Sequence, residues 1–141
     1  VKIGGKLGYI DKTGKIAINP QFDSAGEFKE GLALIHVDGK LGYIDKTGKI
    51  VVSQQFDSAF NFTENLARIK VGDKCGYIDK TGKYALSPQF DDAGNFTEGV
   101  AWVKIGYKVG YIDKTGKYLL NLTSFYSQED TAKRNWYRRK A

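Results

Sequence analysis

The octapeptide Gly-Tyr-Ile-Asp-Lys-Thr-Gly-Lys stands unchanged at residues 8–15, 42–49, 76–83 and 110–117, always 34 residues on. A fixed period without insertions means that one small supersecondary unit is built four times, each copy burying apolar surface against its neighbour. Other residues keep the same step. Gln-Phe-Asp recurs at 21–23, 55–57 and 89–91, and Phe28, Phe62 and Phe96 follow the period. So do Glu30, Glu64 and Glu98, and Ala33, Ala67 and Ala101. The repeats divide as 1–20, 21–54, 55–88 and 89–122, and residues 123–141 depart from the pattern.

Within a unit the turn residues define the strands. Residues 32–37 (LALIHV) are apolar and β-prone, and Asp38-Gly39 follows. The equivalent dipeptides are Gly4-Gly5, Gly72-Asp73 and Gly106-Tyr107. Asp-Gly and Gly-Gly suit type I′ turns, whereas Gly-Asp and Gly-Tyr suit type II′, so all four predict two-residue hairpin loops. A second strand, Lys40 to Asp45, leads into Asp45-Lys46-Thr47-Gly48, which reads as a type I turn with glycine in the left-handed position and a G1 bulge. The third strand is expected from Lys49 to Val52. Each unit therefore reads as a three-stranded antiparallel meander.

A two-residue loop pairs Val37 with Lys40, Ile35 with Gly42 and Ala33 with Ile44. Alternation then puts Ala33, Ile35, Val37, Ile44, Ile50 and Val52 on one apolar face, with Tyr84, Leu86, Tyr118 and Leu120 in the later copies. That face is the expected core. The opposite face carries Tyr9, Tyr43, Tyr77 and Tyr111, and is expected to point outward. The connectors space Phe22, Ala25 and Phe28 three apart, which predicts a short 3₁₀ or helical turn rather than a strand. Their two phenylalanines are expected to fill the gap between units, each contributing on the order of 2–3 kcal/mol.

Composition limits the chemistry. A chain of 141 residues, 41% hydrophobic and 13% aromatic, suits one ordered domain. No apolar run approaches the ~18 residues of a membrane-spanning helix. One cysteine and one histidine supply neither an internal disulfide nor a histidine-rich metal site. The net charge of +6 splits evenly: residues 1–122 carry 17 cations against 14 carboxylates, and the tail carries 5 against 2. Sixteen of those 17 cations are lysine, a mixed-charge surface that does not read as nucleic-acid binding. With no methionine, the chain is expected to start after processing or to come from a longer protein.

The recurrent polar residues have structural roles. Asp11, Asp45, Asp79 and Asp113 open type I turns, where an aspartate accepts the amide two residues on. The Lys-Thr-Gly triplets lack the Ser-x-x-Lys partner of penicillin-binding enzymes. His36 has lysine at its counterparts (Lys2, Lys70, Lys104), and Cys75 replaces aliphatic residues, which suits space-filling. Glu30, Glu64 and Glu98 are candidates to accept backbone amides at a bend. Two features remain as a candidate binding face: the row Tyr9, Tyr43, Tyr77 and Tyr111 with Trp102, Lys70 and Lys104, and an array of twelve lysines at the turns. The tyrosines either pack against the neighbouring unit or form a ladder for sugar rings or a protein strip. The lysines either attract an anionic polymer or suppress edge-to-edge aggregation.

KLGYIDKTGK followed by QFD, F-x-E-G-x-A and V-x-G-x-K resembles the bacterial WG (KWG) repeat across residues 1–122. The tryptophan that names that family is replaced by Leu7, Leu41, Cys75 and Val109. The resemblance implies a non-catalytic module for binding or assembly, in bacterial and often exported or cell-surface proteins. The expected fold is all-β: tandem units stacked in an open solenoid-like array, with residues 123–141 as a basic cap containing a short helix. A closed four-unit, propeller-like ring is the alternative. The expected function is protein–protein interaction or surface assembly without a cofactor, the alternative being carbohydrate or cell-wall binding through the aromatic row.

Overall fold

The computed structural model describes residues 1–124, with side chains through Leu119. The expected tail helix lies outside those residues. The described residues are all β, in four antiparallel sheets that follow one another in chain order. The first has three strands, β1 (Lys2–Ile3), β2 (Lys6–Ile10) and β3 (Ile16–Phe22). The second runs through β4 (Ser24–Lys29), β5 (Leu32–Val37), β6 (Lys40–Asp45) and β7 (Ile50–Phe56). The third comprises β8 (Ser58–Ala59), β9 (Ala67–Val71), β10 (Lys74–Ile78) and β11 (Tyr84–Phe90). The fourth comprises β12 (Asp92–Ala93), β13 (Ala101–Ile105), β14 (Lys108–Ile112) and β15 (Tyr118–Ser124).

The hairpins match the turn chemistry. Asp38 and Gly39 have φ of 53° and 82°, as type I′ requires, while Gly72 and Gly106 alone take positive φ in their loops, as in type II′. The β5–β6 register pairs Val37 with Lys40, Ile35 with Gly42 and Ala33 with Ile44, as the loop length dictates. At the second turn the Gly48 amide reaches the Asp45 carbonyl at 3.0 Å, and Gly48 sits at φ 90°.

Two expectations fail, for related reasons. The connector is not a helical turn: β4, β8 and β12 run along β5, β9 and β13, so the full unit has four strands. Ala25, Ala59 and Ala93 are small enough to lie in these edge strands, opposite Ile35, Ile69 and Val103. The third strand, moreover, runs on to Phe56 and is bulged twice, pairing Ile44 with Ile50, Tyr43 with Val52 and Leu41 with Phe56. Each bulge adds residues on one side and shifts the face. Val52 therefore joins Tyr43 rather than Ile44, while Ile50 and Tyr84 keep their pairing with Ile44 and Ile78 but lie half-exposed near the hairpin tip instead of in the core. The strands break at Asp23, Asp57 and Asp91, a few residues past the unit limits of 20, 54 and 88.

The second bulge explains the glycine of Gly-Tyr-Ile-Asp. A methyl group on Gly42 would lie 2.6 Å from the Val52 carbonyl oxygen, and on Gly8 2.5 Å from that of Ile18. Backbone cannot yield there as a side chain would, so only glycine fits.

The sheets stack face to face. The tyrosine face of one packs on the alanine–isoleucine face of the next: Tyr43, Val52, Phe56 and Phe62 meet Ala67, Ile69 and Ile78. Tyr77, Phe90 and Phe96 meet Ala101, Val103 and Ile112 in the same way. The array is open. Ile10, on the outer face of the first sheet, is 51% exposed, whereas its counterpart Ile44 is fully buried. Ring closure would have covered it.

Phe56 fills the joint between the second and third sheets, so Phe56→Ala is expected to cost about 3–5 kcal/mol. Urea denaturation measures it, and an unchanged midpoint at unchanged slope would count against this packing. Gly42→Ala should destabilise the chain measurably in the same assay, because the new methyl meets backbone.

Candidate binding surface

The tyrosine row lies inside the stack, not outside. Tyr43 and Tyr77 are 1% exposed, and Tyr9 and Tyr111 are half-buried. Three of the hydroxyls donate to a backbone carbonyl on the edge strand or connector of the following unit: Tyr9 to Gly26 at 2.6 Å, Tyr43 to Phe60 at 2.6 Å and Tyr77 to Gly94 at 2.5 Å. The ring packs on a connector phenylalanine. Centroids lie 5.1 Å apart for Tyr9 and Phe28, 5.0 Å for Tyr43 and Phe62, and 4.8 Å for Tyr77 and Phe96. Burial pushes the Tyr43 and Tyr77 phenols far above their ordinary range. The expected outward direction reverses because a face packed by a neighbouring unit cannot be told from a solvated face by alternation alone.

Aspartates of the Gln-Phe-Asp triplets tie hairpins of successive sheets together. Asp23 accepts from the Lys6 ammonium in the first sheet and from the Asp38 amide, at 3.0 Å, in the second. Asp57 likewise joins Lys40 to the Gly72 amide, at 2.7 Å, and Asp91 joins Lys74 to the Gly106 amide. These bonds hold the carboxyls below their usual range. The lysine leads for Asp23 and Asp57, and the Gly106 amide leads for Asp91. Nothing in the sequence marked these pairs except a constant 17-residue offset from lysine to aspartate.

Glu30 and Glu64 do accept amides at a bend, but at the bend of the next unit. Glu30 and Gly31, Glu64 and Asn65, and Glu98 and Gly99 all take positive φ in tight turns. The Glu30 carboxylate accepts from the Glu64 and Asn65 amides at 2.9 and 3.0 Å and lies 3.4 Å from Lys80. Glu64 repeats this one step on, accepting from the Gly99 amide at 2.8 Å with Lys114 at 3.4 Å. Burial pulls the Glu30 carboxyl up, but these donors outweigh it and the net shift is downward. Glu64 is also lowered, chiefly by the Gly99 amide.

The four turn aspartates behave as expected. Asp45 Oδ1 accepts from the Thr47 amide at 2.9 Å, the Thr47 hydroxyl at 2.5 Å and the Lys49 amide at 3.1 Å, and the other three copies repeat the pattern. Cys75 is buried, and burial raises its thiol. His36 is half-buried on β5, opposite Ser24.

Of the remaining candidates, Lys70 lies on β9 and Trp102 and Lys104 on β13. Lys70 belongs to the third sheet, and Trp102 and Lys104 to the fourth. Trp102 is 38% exposed and lies over Gly94, where an added methyl would sit 2.4 Å from its Nε1. Arg68 holds the equivalent position one unit earlier, with its guanidinium 3.7 Å from the Phe60 ring and an NH1 bond to the Ala93 carbonyl at 2.7 Å. It therefore packs into the joint, and the only signal for it was a cation where other copies hold Leu34 and Trp102.

Two recurrent apolar positions are left on the surface: Ile3, Val71 and Ile105 flank the two-residue hairpin loops at 53%, 39% and 37% exposure, and a second file lies at the opposite turns. Ile16, Ile50 and Tyr84 occupy the same position in successive units, next to the Asp-Lys-Thr-Gly turns, and are 48%, 47% and 47% exposed. Exposed lysines, Lys15, Lys49 and Lys83, immediately precede them.

The model of the WG containing repeat family matches this chain in three tandem stretches, 8–40, 42–75 and 76–108. The chain belongs to that family. No curated protein matches it. Among solved structures, a Cicer arietinum lectin with two metal-binding sites is similar at 17% identity and a TM-score of 0.37, over 74% of this chain and 68% of that one. A Cicer arietinum albumin showing hemagglutination aligns at 15% identity and 0.37, over 73% and 66%. The hemopexin-fold protein CP4 of cow pea aligns at 17% and 0.35, over 74% and 68%. Likenesses this distant say nothing about what the WG repeats bind.

The joint carboxylates have an acid signature. Groups held below their unfolded values stabilise the fold above those values, and that stability is lost as pH falls through the folded ones. The melting temperature is therefore expected to drop progressively below about pH 4. Glu64→Gln should lower it at neutral pH and flatten the acid slope, and a parallel pH profile for that variant would refute the assignment.

Proposed function

We propose that this WG-repeat chain is a non-catalytic module that holds a protein partner along the rim formed by its Asp-Lys-Thr-Gly turns. The observation that supports this is the file of half-exposed Ile16, Ile50 and Tyr84 beside Lys15, Lys49 and Lys83. An apolar residue recurring at an exposed place gains the fold little, and several in file exceed the scattered exposure of ordinary surfaces. Successive sheets set them about 10 Å apart, a spacing that suits an elongated protein surface. Lysines along the file add attraction for an acidic partner and steer its approach.

The recurrent groups that catalysis would draw on have other employment. The turn aspartates close their own loops, Asp23, Asp57 and Asp91 and the glutamates Glu30 and Glu64 bridge sheets, and the tyrosine hydroxyls cap carbonyls of the next unit. A carbohydrate platform built on the tyrosine row would need rings that Tyr43 and Tyr77 do not present.

The rim is tested by affinity capture with the wild-type chain and with the triple variant I16K/I50K/Y84K, followed by identification of the retained proteins. A discrete protein held by wild type and lost with the variant, at a melting temperature unchanged within about 3 °C, is the expected result. Equal retention by both chains, or retention of a polysaccharide insensitive to the substitutions, would overturn the proposal.

A further inference from the structure

The strands β3, β7 and β11 share a composition that a solvated sheet edge does not need. Each lies at the end of its sheet's strand order, with no described strand beyond it. None of their 21 residues is charged, in a chain that is 27% charged. Free edges are ordinarily blunted by charged side chains, lysine above all, because like charges stop one edge from pairing with another. Asn19, Gln21, Ser53, Gln55, Ser87 and Gln89 are exposed there instead.

The charges sit at the strand ends, in a fixed order. Lys15, Lys49 and Lys83 precede the three strands, and Asp23, Asp57 and Asp91 follow them. A segment with a cation before it and a carboxylate after it is complementary to its own antiparallel copy. Pairing about Ser53 sets Val51 across from Gln55 and Lys49 across from Asp57, twice over. Asn19 and Ser87 are the corresponding centres of β3 and β11, which sets Lys15 across from Asp23 and Lys83 across from Asp91. A residue at such a centre meets itself, where a charge would repel, and all three are uncharged. The aspartates remain open to a further donor. With Lys6, Lys40 and Lys74 in place, their side chains are still 35%, 42% and 35% exposed. Proline decides where main-chain bonds form. Pro20 and Pro88 have no amide proton to offer, whereas their counterpart on β7, Gln54, keeps its own.

We propose that the partner is a second copy of this chain, the two stacks meeting edge to edge about a two-fold axis. Antiparallel pairing of a strand with its own copy in the plane of a sheet requires an axis normal to that sheet. The sheets stack along that normal, so each layer meets its equivalent. Main-chain bonds join β7 to its copy and supply affinity, while β3 and β11 meet theirs through side chains. The flanking lysine and aspartate charges fix the register. This inference rests on the reading of the turn rim as a protein-binding surface and names its occupant. Ile16, Ile50 and Tyr84 open the three strands, and the acidic groups that meet the rim lysines are Asp23, Asp57 and Asp91 of the second copy.

Sedimentation equilibrium of the 141-residue chain reads the assembly. Wild type is expected to pass from the monomer mass to twice that mass by about 500 µM and to stop there, because an isologous contact closes on itself. Q54P puts on β7 the residue that β3 and β11 already carry, so the fold accommodates it, and it should weaken dimerisation about tenfold or more. K49E, at an exposed side chain, should weaken it as well by setting two carboxylates face to face. If Q54P lowers the melting temperature, K49E alone decides. A chain still monomeric at about 500 µM, assembly that grows past two copies, or dimers as strong in the variants as in wild type would overturn the proposal. The rim is judged apart, since Q54P leaves Ile16, Ile50 and Tyr84 in place. A monomeric chain that captures a different protein through those residues sinks the dimer alone, and a monomeric chain that captures none sinks both readings.

Discussion

A buried phenol that donates its proton to the backbone of the next repeat is the constraint on which this architecture turns. An edge-strand or connector carbonyl facing a sheet would otherwise be buried without a partner, at a cost of about 1–3 kcal/mol. Tyr43 and Tyr77 satisfy those carbonyls while their rings fill the space beneath the connector phenylalanines. One side chain thereby fixes both the distance and the lateral register between neighbouring sheets. The two bulges serve the same arrangement: the one beside Tyr43 brings Val52 onto the tyrosine side, and the one at Gly42 sets Phe56 opposite Leu41.

Around that apolar contact the joint is closed by charge. Asp23, Asp57 and Asp91 fasten the hairpin tips, and Glu30 and Glu64 fasten the turns at the other end of the edge strands. Both sets act between units and neither serves one sheet alone. Exposed ion pairs contribute little one by one, but a carboxylate that also accepts backbone amides has a defined position, which makes these groups determinants of stacking geometry. Stability then accrues joint by joint, as nearest-neighbour contacts do in repeat proteins.

The fold was largely legible because turn chemistry is local. Asp38-Gly39 and Gly72-Asp73 carry their turn types in their own φ preferences, and the octapeptide turn carries its hydrogen bonds within five residues. What was not legible came from contacts between units. Ser24–Lys29 becomes a strand only because β5 lies beside it, and the three-residue spacing of its apolar positions pointed to a turn. Tyr43 and Ile44 occupy opposite faces that are both buried, so alternation could name two faces but could not say that neither meets water. Ile50 and Tyr84 looked like core because they share a face with Ile44 and Ile78, and alternation does not say that the face runs out of cover at the hairpin tip; the uncounted bulge moved Val52 instead. The exposed file that now supports a binding role was hidden by its place on an otherwise buried face.

The placement of the tyrosines can be read directly in an alkaline spectrophotometric titration of the wild-type chain against the double variant Y43F/Y77F. Burial disfavours the phenolate, so Tyr43 and Tyr77 should stay protonated until the chain unfolds. The account predicts the same rise in tyrosinate absorbance for both proteins through the ordinary range near pH 10, and a difference only in the step that accompanies unfolding. A variant that falls short of wild type by two phenols within the ordinary range would place these rings in water and contradict the stacked arrangement.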